Sequence, residues 1–128
     1  MCGICGFVGK GDESMLLRMR EKMFHRGPDD AGIYFDKENQ IGLGHRRLSI
    51  IDLSINGRQP MHSFSGTNII IYNGEVYNFP SIREELVKKG ISFQSNSDTE
   101  IVLEAFEYWG IKAIDKFRGM FAFAIWNK

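Results

Sequence analysis

The sequence predicts an α+β fold in which strands and helices mix without a regular βαβ alternation. Strand-like and helix-like segments follow one another irregularly along the 128 residues, and several strand pairs are close enough in the chain to be antiparallel. The segment 67–72 also contains a run of apolar residues that would cover both faces of a strand. A strand of that kind is buried on both sides, so it lies inside a layered structure.

The first third of the chain is predicted to be a strand followed by a helix. A short strand is predicted for residues 2–9, where glycines occur at intervals among apolar residues. Asp12 is predicted to cap a helix that continues to about residue 24. Apolar residues recur on one face of that helix: Leu16, Met19 and Met23. Gly27 and Pro28 cannot continue a helix and mark a turn.

The middle third is predicted to contain three strands, a loop and a second helix. The strands and the loop are assigned in this order: strands at 31–35 and 40–51, a loop at 55–65, and the buried strand at 67–72. Pro80 fits the first turn of a helix that ends at Lys89, because Gly90 stops it. Two charged pairs at i,i+4 spacing are expected to support this helix: Glu84 with Lys88, and Glu85 with Lys89.

The last third is predicted to contain a strand, two helices and a final strand: 91–94, 98–109, 111–117 and 119–126. Ser97 and Glu100 form a capping box at the start of the longer helix. The apolar face of that helix consists of Val102, Ala105, Phe106 and Trp109, and Gly110 closes it. The final strand contains an apolar run from 120 to 126, which predicts a fully buried strand.

Composition excludes several classes of protein. Sixteen basic residues balance sixteen acidic ones, so the net charge gives no reason to expect nucleic acid or an anionic membrane as a partner. No apolar run approaches the roughly 20 residues of a membrane span, and no export signal opens the chain. Two cysteines in such a chain are expected to be reduced thiols in the cytoplasm. The three histidines lack the spacing to cysteines or carboxylates that a metal site requires.

Cys2 is the strongest candidate for a catalytic residue. Removal of Met1 would leave a thiol and a free α-amine on the same residue. An α-amine titrates near pH ~8 and can take the thiol proton, so one residue would supply both nucleophile and base. Alternatively, Cys2 is a small buried residue at a chain end. Cys2 and Cys5 also form a C-x-x-C pattern, so a redox pair is a competing interpretation, although both precede the first helix signal.

Three further segments carry groups suited to catalysis or binding. The guanidinium of Arg47, or that of its neighbour Arg46, could bind a carboxylate through two hydrogen bonds. Arg46 is, however, better explained as a solvated residue at a strand edge. Asn73 and Gly74 offer a side-chain NH₂ and a backbone N–H that could converge on an oxyanion, or they are merely a turn pair. Asp98 lies in the first turn of a helix, where an acid is stabilising without any ligand.

Seven motifs, in order along the chain, give these residues a common setting. They are Met-Cys-Gly-Ile at the start, His-Arg-Gly-Pro-Asp-Asp-Ala-Gly at 25–32, Arg-Leu-Ser-Ile-Ile-Asp at 47–52, Gln-Pro-Met at 59–61, Tyr-Asn-Gly-Glu-Val-Tyr-Asn at 72–78, Ser-Asp-Thr-Glu at 97–100 and Gly-Met-Phe-Ala-Phe-Ala at 119–124. Together they resemble the glutaminase domain of the glutamine-hydrolysing asparagine synthetases. Those are class II glutamine amidotransferases of the N-terminal-nucleophile hydrolase superfamily.

The resemblance implies a role for each candidate residue. Cys2 matches the nucleophile that attacks the side-chain amide of glutamine, and Asn73 with Gly74 matches the oxyanion hole. The residues that match the substrate pocket are Arg47 for the α-carboxylate, Asp98 and Glu75 for the α-amino group, and Leu48, Ser49, Ile50 and Ile51 for the lining strand, with Asn73 and Gly74. The implied reaction releases ammonia with formation of a thioester, which is then hydrolysed to glutamate.

The resemblance also implies an αββα four-layer sandwich of antiparallel sheets, with residues 1–128 as the N-terminal part of the amidotransferase domain. Compared with the family, the chain looks truncated at its C-terminal end, so the final strand is expected to lack an evident partner. The ATP-dependent synthetase domain that uses ATP and Mg²⁺ is absent, and no cofactor is expected here. A homodimer is possible. Two alternatives stay open: an inactive glutamine-pocket fragment, and an amidotransferase for another acceptor such as a sugar carboxylate.

Overall fold

The computed structural model describes residues 2–49 and 55–128. The described chain forms six strands: β1 (Gly3–Val8), β2 (Asp30–Asp36), β3 (Ile41–Arg47), β4 (Met61–His62), β5 (Asn68–Val76) and β6 (Gly119–Asn127). Its α-helices are α1 (Glu13–Glu21), α2 (Phe79–Lys88) and α3 (Asp98–Trp109). Short 3₁₀ helices occupy Phe24–Arg26, Ile55–Gly57 and Gly110–Lys116. None of the helices in the described ranges has the length and apolar composition that a membrane span requires.

The strands form two antiparallel three-stranded sheets that pack between layers of helix. The first sheet has the order β1-β3-β2 and the second the order β4-β5-β6. Helix α1 contacts all three strands of the first sheet, whereas α3 contacts β5 of the second and also packs against α2. The predicted α+β class and the αββα layering are therefore confirmed.

Strand β5 is the central element of the second sheet and is buried on both faces, as predicted. Its residues Ile69 and Ile71 pack against Ile41 and Leu43 of β3, which fills the space between the two sheets. The alternate residues, Ile70 and Tyr72, belong to the core that α2 and α3 cover. Each of the four β5 residues is at most 3% exposed. Complete burial of an isoleucine side chain stabilises the fold by about 1.5–3 kcal/mol.

The final strand was predicted to be fully buried and without an evident partner, and both statements are wrong. Strand β6 pairs with β5 along its whole length, from Gly119 opposite Val76 to Asn127 opposite Asn68. Within the described residues β6 lies at the edge of its sheet, and its side chains alternate between exposed and partly buried from Met120 to Ile125. Phe121, which faces the helices, is partly buried, whereas Met120 is 69% exposed. The apolar run therefore reflects an edge strand whose one face packs against the helix-covered core, whereas the other face is covered at Trp126, which packs against the cluster between the sheets.

Several boundaries and one element also differ from the predictions. Helix α1 is capped by Asp12 as predicted, but it ends at Glu21 and a separate 3₁₀ turn follows. Strand β3 ends at Arg47, and the predicted loop at 55–65 contains β4. Residues 91–94 form no strand, because they connect α2 to α3 without a strand partner. Strand β5 continues through Val76, so Asn73 and Gly74 lie within a strand and do not follow it as a turn.

The charged residues of α2 also make different contacts from those predicted. Neither predicted i,i+4 pair, Glu84 with Lys88 or Glu85 with Lys89, is formed. Instead, the Glu85 carboxylate accepts hydrogen bonds from Lys116 Nζ at 3.0 and 3.1 Å. This ion pair ties α2 to the 3₁₀ helix that precedes β6, so it links two elements where the predicted pair would have supported only one.

His45 of β3 is fully buried, on the strand face that it shares with Leu43. Burial lowers the pKa of its imidazole from 6.5 to about 4, and the positive charge of Arg47 adds to this effect. The backbone of Tyr72 and the carboxylate of Asp30 offset the lowering only in part. His45 is therefore neutral in the folded protein at neutral pH.

The lowered pKa predicts that stability falls as the pH drops from about 6.5 to about 4. In that window the unfolded chain binds a proton at His45 that the folded chain does not, which removes up to about 3 kcal/mol of stability. Urea unfolding midpoints measured across this range should fall less steeply for His45→Gln than for the wild type. His25→Gln, a change in the exposed turn, should keep the wild-type slope. An equal slope for His45→Gln would contradict the assignment.

Candidate active site

A cleft opens where the end of the first sheet faces the end of β5 and the N-terminus of α3. It encloses about 830 Å³ of empty space, its open mouth included. The predicted site residues that line it are Cys2, Arg47, Leu48, Asn73, Gly74, Glu75 and Asp98. Ser49 is not part of the lining, and its N–H donates to the Asp29 carboxylate at 2.8 Å. Ile50 and Ile51 lie outside the described residues.

The Cys2 thiol is held against the end of β3. Leu48 N–H donates to Cys2 Sγ at 3.4 Å, and the thiol lies 3.7 Å from the Leu48 carbonyl oxygen. The Cys2 carbonyl accepts a hydrogen bond from Arg26 Nε at 3.0 Å. The thiol is half-buried and lines the cleft, so it is accessible to a small molecule while its position is fixed by backbone contacts.

Cys5 lies on the opposite face of β1 and takes no part in the cleft. It is paired with Gly44 of β3, and a Cβ at that glycine would lie 2.8 Å from Cys5 Sγ and 3.4 Å from Leu16 of α1. Burial raises the pKa of the Cys5 thiol, and the nearby Arg20 only partly opposes this. Both cysteines are free thiols. The C-x-x-C pattern is therefore a consequence of strand alternation, and the redox interpretation is not supported.

Arg46 and Arg47 are both 8% exposed, yet they serve different faces of the first sheet. Arg47 lines the cleft. Arg46 points to the α1 side, where it pairs with the Glu21 carboxylate and its Cζ lies 4.8 Å from the ring centre of Phe24. The prediction of a solvated Arg46 is therefore wrong. Hydrogen bonding from Arg20, assisted by Arg46, lowers the pKa of the Glu21 carboxyl.

Asn73 and Gly74 occupy the last part of β5, opposite Ala122 and Phe121 of β6. Asn73 shares a sheet face with the small and exposed Ala122, which leaves room above its amide. A Cβ at Gly74 would lie 2.4 Å from the Met120 carbonyl oxygen and from Phe121 Cα. Glycine is therefore required by the close approach of β6, and the same residue leaves its backbone uncovered beside the cleft.

Asp98 is 5% exposed at the start of α3 and is tied to β5 by two hydrogen bonds. Its Oδ2 accepts from the Tyr72 hydroxyl at 2.8 Å and from the Val76 N–H at 3.0 Å. Burial and the Asp98 charge raise the pKa of the Tyr72 phenol, so Tyr72 remains a hydrogen-bond donor. Asp98 thus has a structural role as well as a place in the cleft.

The helix start that presents Asp98 is capped, but not by the complete predicted capping box. Ser97 Oγ accepts from Glu100 N–H at 3.3 Å, as predicted. The Glu100 carboxylate accepts from Gln94 N–H at 2.8 Å and from Ser95 N–H at 2.7 Å. It therefore binds the segment before Ser97, and this fixes the residues that the sequence had assigned to a strand.

The charges around the cleft have an ordered distribution. The guanidinium of Arg47 lies on the side of the first sheet with Cys2, whereas the carboxylates of Asp98 and Glu75 lie on the side of the second sheet. A pocket that offers a cation to a carboxylate and anions to an ammonium group is suited to a zwitterionic amino acid. Among the described residues, no group of three or more His, Cys, Asp or Glu is arranged to hold a metal ion.

Six of the described residues that line the cleft were not predicted as site residues: Gly57, Gln59, Tyr72, Ser97, Thr99 and Met120. Gln59 Oε1 accepts from the Tyr72 N–H at 2.6 Å, and Gln59 Nε2 donates to Thr99 Oγ1 at 3.3 Å. Gln59 belongs to the Gln-Pro-Met motif, so the motif could have identified it as a candidate site residue. Nothing in the sequence predicted that its side chain lies between β5 and α3. Met120, at the rim of the cleft, was predicted only as part of a buried strand.

Sequence comparisons place the chain among amidotransferases. A family profile described as a glutamine amidotransferase domain matches residues 1–128. Glutamine-hydrolysing asparagine synthetase 1 of Bacillus subtilis is 44% identical over 135 residues, a match that covers 100% of this chain and 21% of that protein. A putative asparagine synthetase 2 of Methanocaldococcus jannaschii is 38% identical over 151 residues, covering 100% of this chain and 28% of that protein. Amidase chry2 of Gibberella zeae is 37% identical, with coverages of 100% and 21%.

The structural comparison supports the same fold. Glutamine phosphoribosylpyrophosphate amidotransferase from B. subtilis, solved with ADP and GMP, matches with a TM-score of 0.78 at 20% identity, covering 97% of this chain and 35% of that chain. The chain spans about a fifth of the length of the B. subtilis asparagine synthetases that it matches. Since the family profile spans all 128 residues and agrees with the αββα fold, the chain belongs to the glutamine amidotransferase domain family.

Proposed function

We propose that this chain hydrolyses the side-chain amide of free L-glutamine through a thioester on Cys2. The observation that carries the proposal is the convergence of Cys2, Arg47, Asn73, Gly74 and Asp98 on one cleft. These residues come from both sheets and from the start of α3, and the cleft brings a thiol together with groups of both charges.

The charges of the cleft support a specific orientation of the substrate. Arg47 binds the α-carboxylate of glutamine, and Asp98 with Glu75 binds its α-ammonium group. This arrangement directs the side-chain amide to Cys2. A glutamine within a peptide has neither terminal charge, so this site should favour the free amino acid.

The chemistry requires that Met1, which lies outside the described residues, is removed. The α-amine of Cys2 then takes the thiol proton, and the thiolate attacks the amide carbon. The Asn73 side-chain NH₂ and the Gly74 N–H donate hydrogen bonds to the oxyanion of the tetrahedral intermediate. Collapse breaks the C–N bond, and the proton held by the α-amine passes to the departing nitrogen as ammonia. Water then attacks the thioester, which releases glutamate and restores the thiol.

We further propose that the ammonia is used to amidate aspartate to asparagine in a separate synthetase domain that uses ATP and Mg²⁺. The similarity to glutamine-hydrolysing asparagine synthetases over the whole chain supports this acceptor. Residues 1–128 would then be the N-terminal part of the glutaminase domain, holding no cofactor, in a cytoplasmic enzyme. Another carboxylate acceptor, such as a sugar carboxylate, would be compatible with the same glutamine site.

Mass spectrometry tests the nucleophile directly. The intact full-length protein should lack Met1 and should gain one adduct, on Cys2, after treatment with 6-diazo-5-oxo-L-norleucine, an electrophile that carries the amino-acid end of glutamine. Cys2→Ala should lose both the adduct and glutamate production, because no other thiol lines the described part of the cleft.

Cys5→Ala is the matched control and should retain the adduct, since Cys5 lies on the other face of β1. Retained Met1, or a processed protein that gains no adduct, would contradict hydrolysis. Such a result would leave glutamine binding without turnover as the function of the cleft.

Asn73→Ala tests the oxyanion contact. Loss of one oxyanion donor should lower kcat for glutamate release roughly 100- to 1,000-fold with little change in KM, because the donor acts mainly in the transition state. Asn39→Ala, a change in an exposed turn, serves as the control. A rise in KM at unchanged kcat would assign Asn73 to substrate binding instead.

The acceptor is tested with the full-length protein supplied with glutamine, ATP, Mg²⁺ and aspartate. Stoichiometric formation of asparagine and glutamate is expected, and Cys2→Ala should form asparagine only when free ammonia is added. Glutamate production without asparagine, unaffected by aspartate, would contradict the acceptor while leaving the glutaminase proposal intact.

A further inference from the structure

Gln59 connects the elements that bring the two sides of the cleft together. Its side chain is 6% exposed and lies between β5 and the first turn of α3. Given the proposed glutaminase function, on which this inference rests, we propose that Gln59 is a positioning residue for the amino-acid end of the substrate. It acts by fixing Asp98 relative to β5.

The first contact of Gln59 replaces a missing strand pairing. Strand β4 pairs with β5 only at Met61 opposite Ile70 and His62 opposite Ile69. Beyond that point Tyr72 N–H, on the edge of β5 that faces β4, donates to Gln59 Oε1 at 2.6 Å. The side chain thus continues the ladder where the backbone of β4 has ended. Because a buried backbone N–H needs a partner, this contact also fixes the orientation of the Gln59 amide.

The second contact closes a ring of hydrogen bonds around Asp98. Gln59 Nε2 donates to the hydroxyl of Thr99, the residue after Asp98 in α3. Asp98 in turn accepts from the Tyr72 hydroxyl. The ring therefore runs from the Tyr72 backbone through Gln59 and Thr99 to Asp98, and back to Tyr72 through its own side chain. Asp98 and Thr99 are the first two residues of α3. Asp98 is tied directly to Tyr72, and Thr99 is tied to it through Gln59. Tyr72 directly precedes Asn73 in β5.

The backbone of Gln59 also touches the first sheet. A Cβ at Gly32 of β2 would lie 2.1 Å from the Gln59 carbonyl oxygen, so only a glycine allows this approach. Residue 59 therefore contacts the sheet that carries Cys2 and Arg47 as well as the elements that carry Asn73 and Asp98. It is placed to set the distance between the groups that bind the two charged ends of glutamine.

This geometry predicts an effect on binding of the amino-acid end and not on the reactivity of the thiol. Cys2 Sγ is held by Leu48 and its carbonyl by Arg26, and neither of these contacts involves Gln59. Loss of the Gln59 amide would instead release Thr99 and leave Tyr72 N–H unsatisfied. Asp98 would then be less well positioned for the α-ammonium group, whereas the nucleophile would be unchanged.

The test compares two alkylating reagents on Gln59→Met in the full-length protein. Methionine has a similar shape but makes neither hydrogen bond. 6-Diazo-5-oxo-L-norleucine carries both amino-acid charges, whereas iodoacetamide carries neither. We expect the rate of Cys2 labelling by the first reagent to fall roughly tenfold, with iodoacetamide labelling unchanged. KM for glutamine should rise by a similar factor, with kcat changing less. Gln94→Met, on an exposed loop, should match the wild type with both reagents.

Thr99→Val keeps the proposal testable if Gln59→Met does not fold, which unfolding midpoints would show. It removes only the weaker contact of Gln59, so the same loss of selectivity between the two reagents should appear at a smaller magnitude. Equal loss of labelling by both reagents would show that Gln59 merely supports the fold and would overturn the proposal. Unchanged labelling by both would also overturn it. If wild-type Cys2 reacts with iodoacetamide but not with the glutamine analogue, the proposed function itself fails.

Discussion

The structure depends on the burial of β5 on both of its faces. Ile69 and Ile71 on one face close the space between the sheets, and Ile70 and Tyr72 on the other seat the helices. A strand held in this way cannot slip by one residue, since a slip would exchange the two cores. The strand then carries Asn73 and Gly74 to the cleft, directly after residues that are buried on both faces. The proposed oxyanion donors therefore lie on a strand and not on a loop.

The cleft itself forms at the point where the two sheets no longer fill the space between them. Bulky apolar side chains occupy the interior as far as Leu43 and Ile71, and further along the strands the corresponding positions are polar. Arg47 enters from β3, Asn73 from β5, and Asp98 from a helix capped by Ser97. The same alternation that makes the core therefore makes the site, with polar side chains replacing apolar ones along the inner faces.

Sequence reasoning succeeded where local chemistry is decisive. Periodicity and capping located α1, α2 and α3 to within a few residues, because Asp12, Pro80 and Ser97 act on their own helices. Sequence reasoning failed where the burial of a residue depends on elements that are distant in the chain and pack against it. On one face of β6, Met120, Ala122 and Ala124 are exposed, whereas the alternate residues pack against the core that the helices cover. Arg46 is buried because α1 and Phe24 cover it. No pattern within either segment contains that information.

The sequence by itself determined the α+β class, the main elements and, through its ordered motifs, seven of the residues that line the cleft. Cys2, Arg47, Asn73, Gly74 and Asp98 could all be identified from the sequence, and all of them line the cleft. Only the tertiary structure decided the role of Gln59, because its hydrogen bonds to Tyr72 and Thr99 join residues that lie 13 and 40 positions away. Side-chain contacts over such separations depend on how the layers pack, and packing is a property of the whole chain.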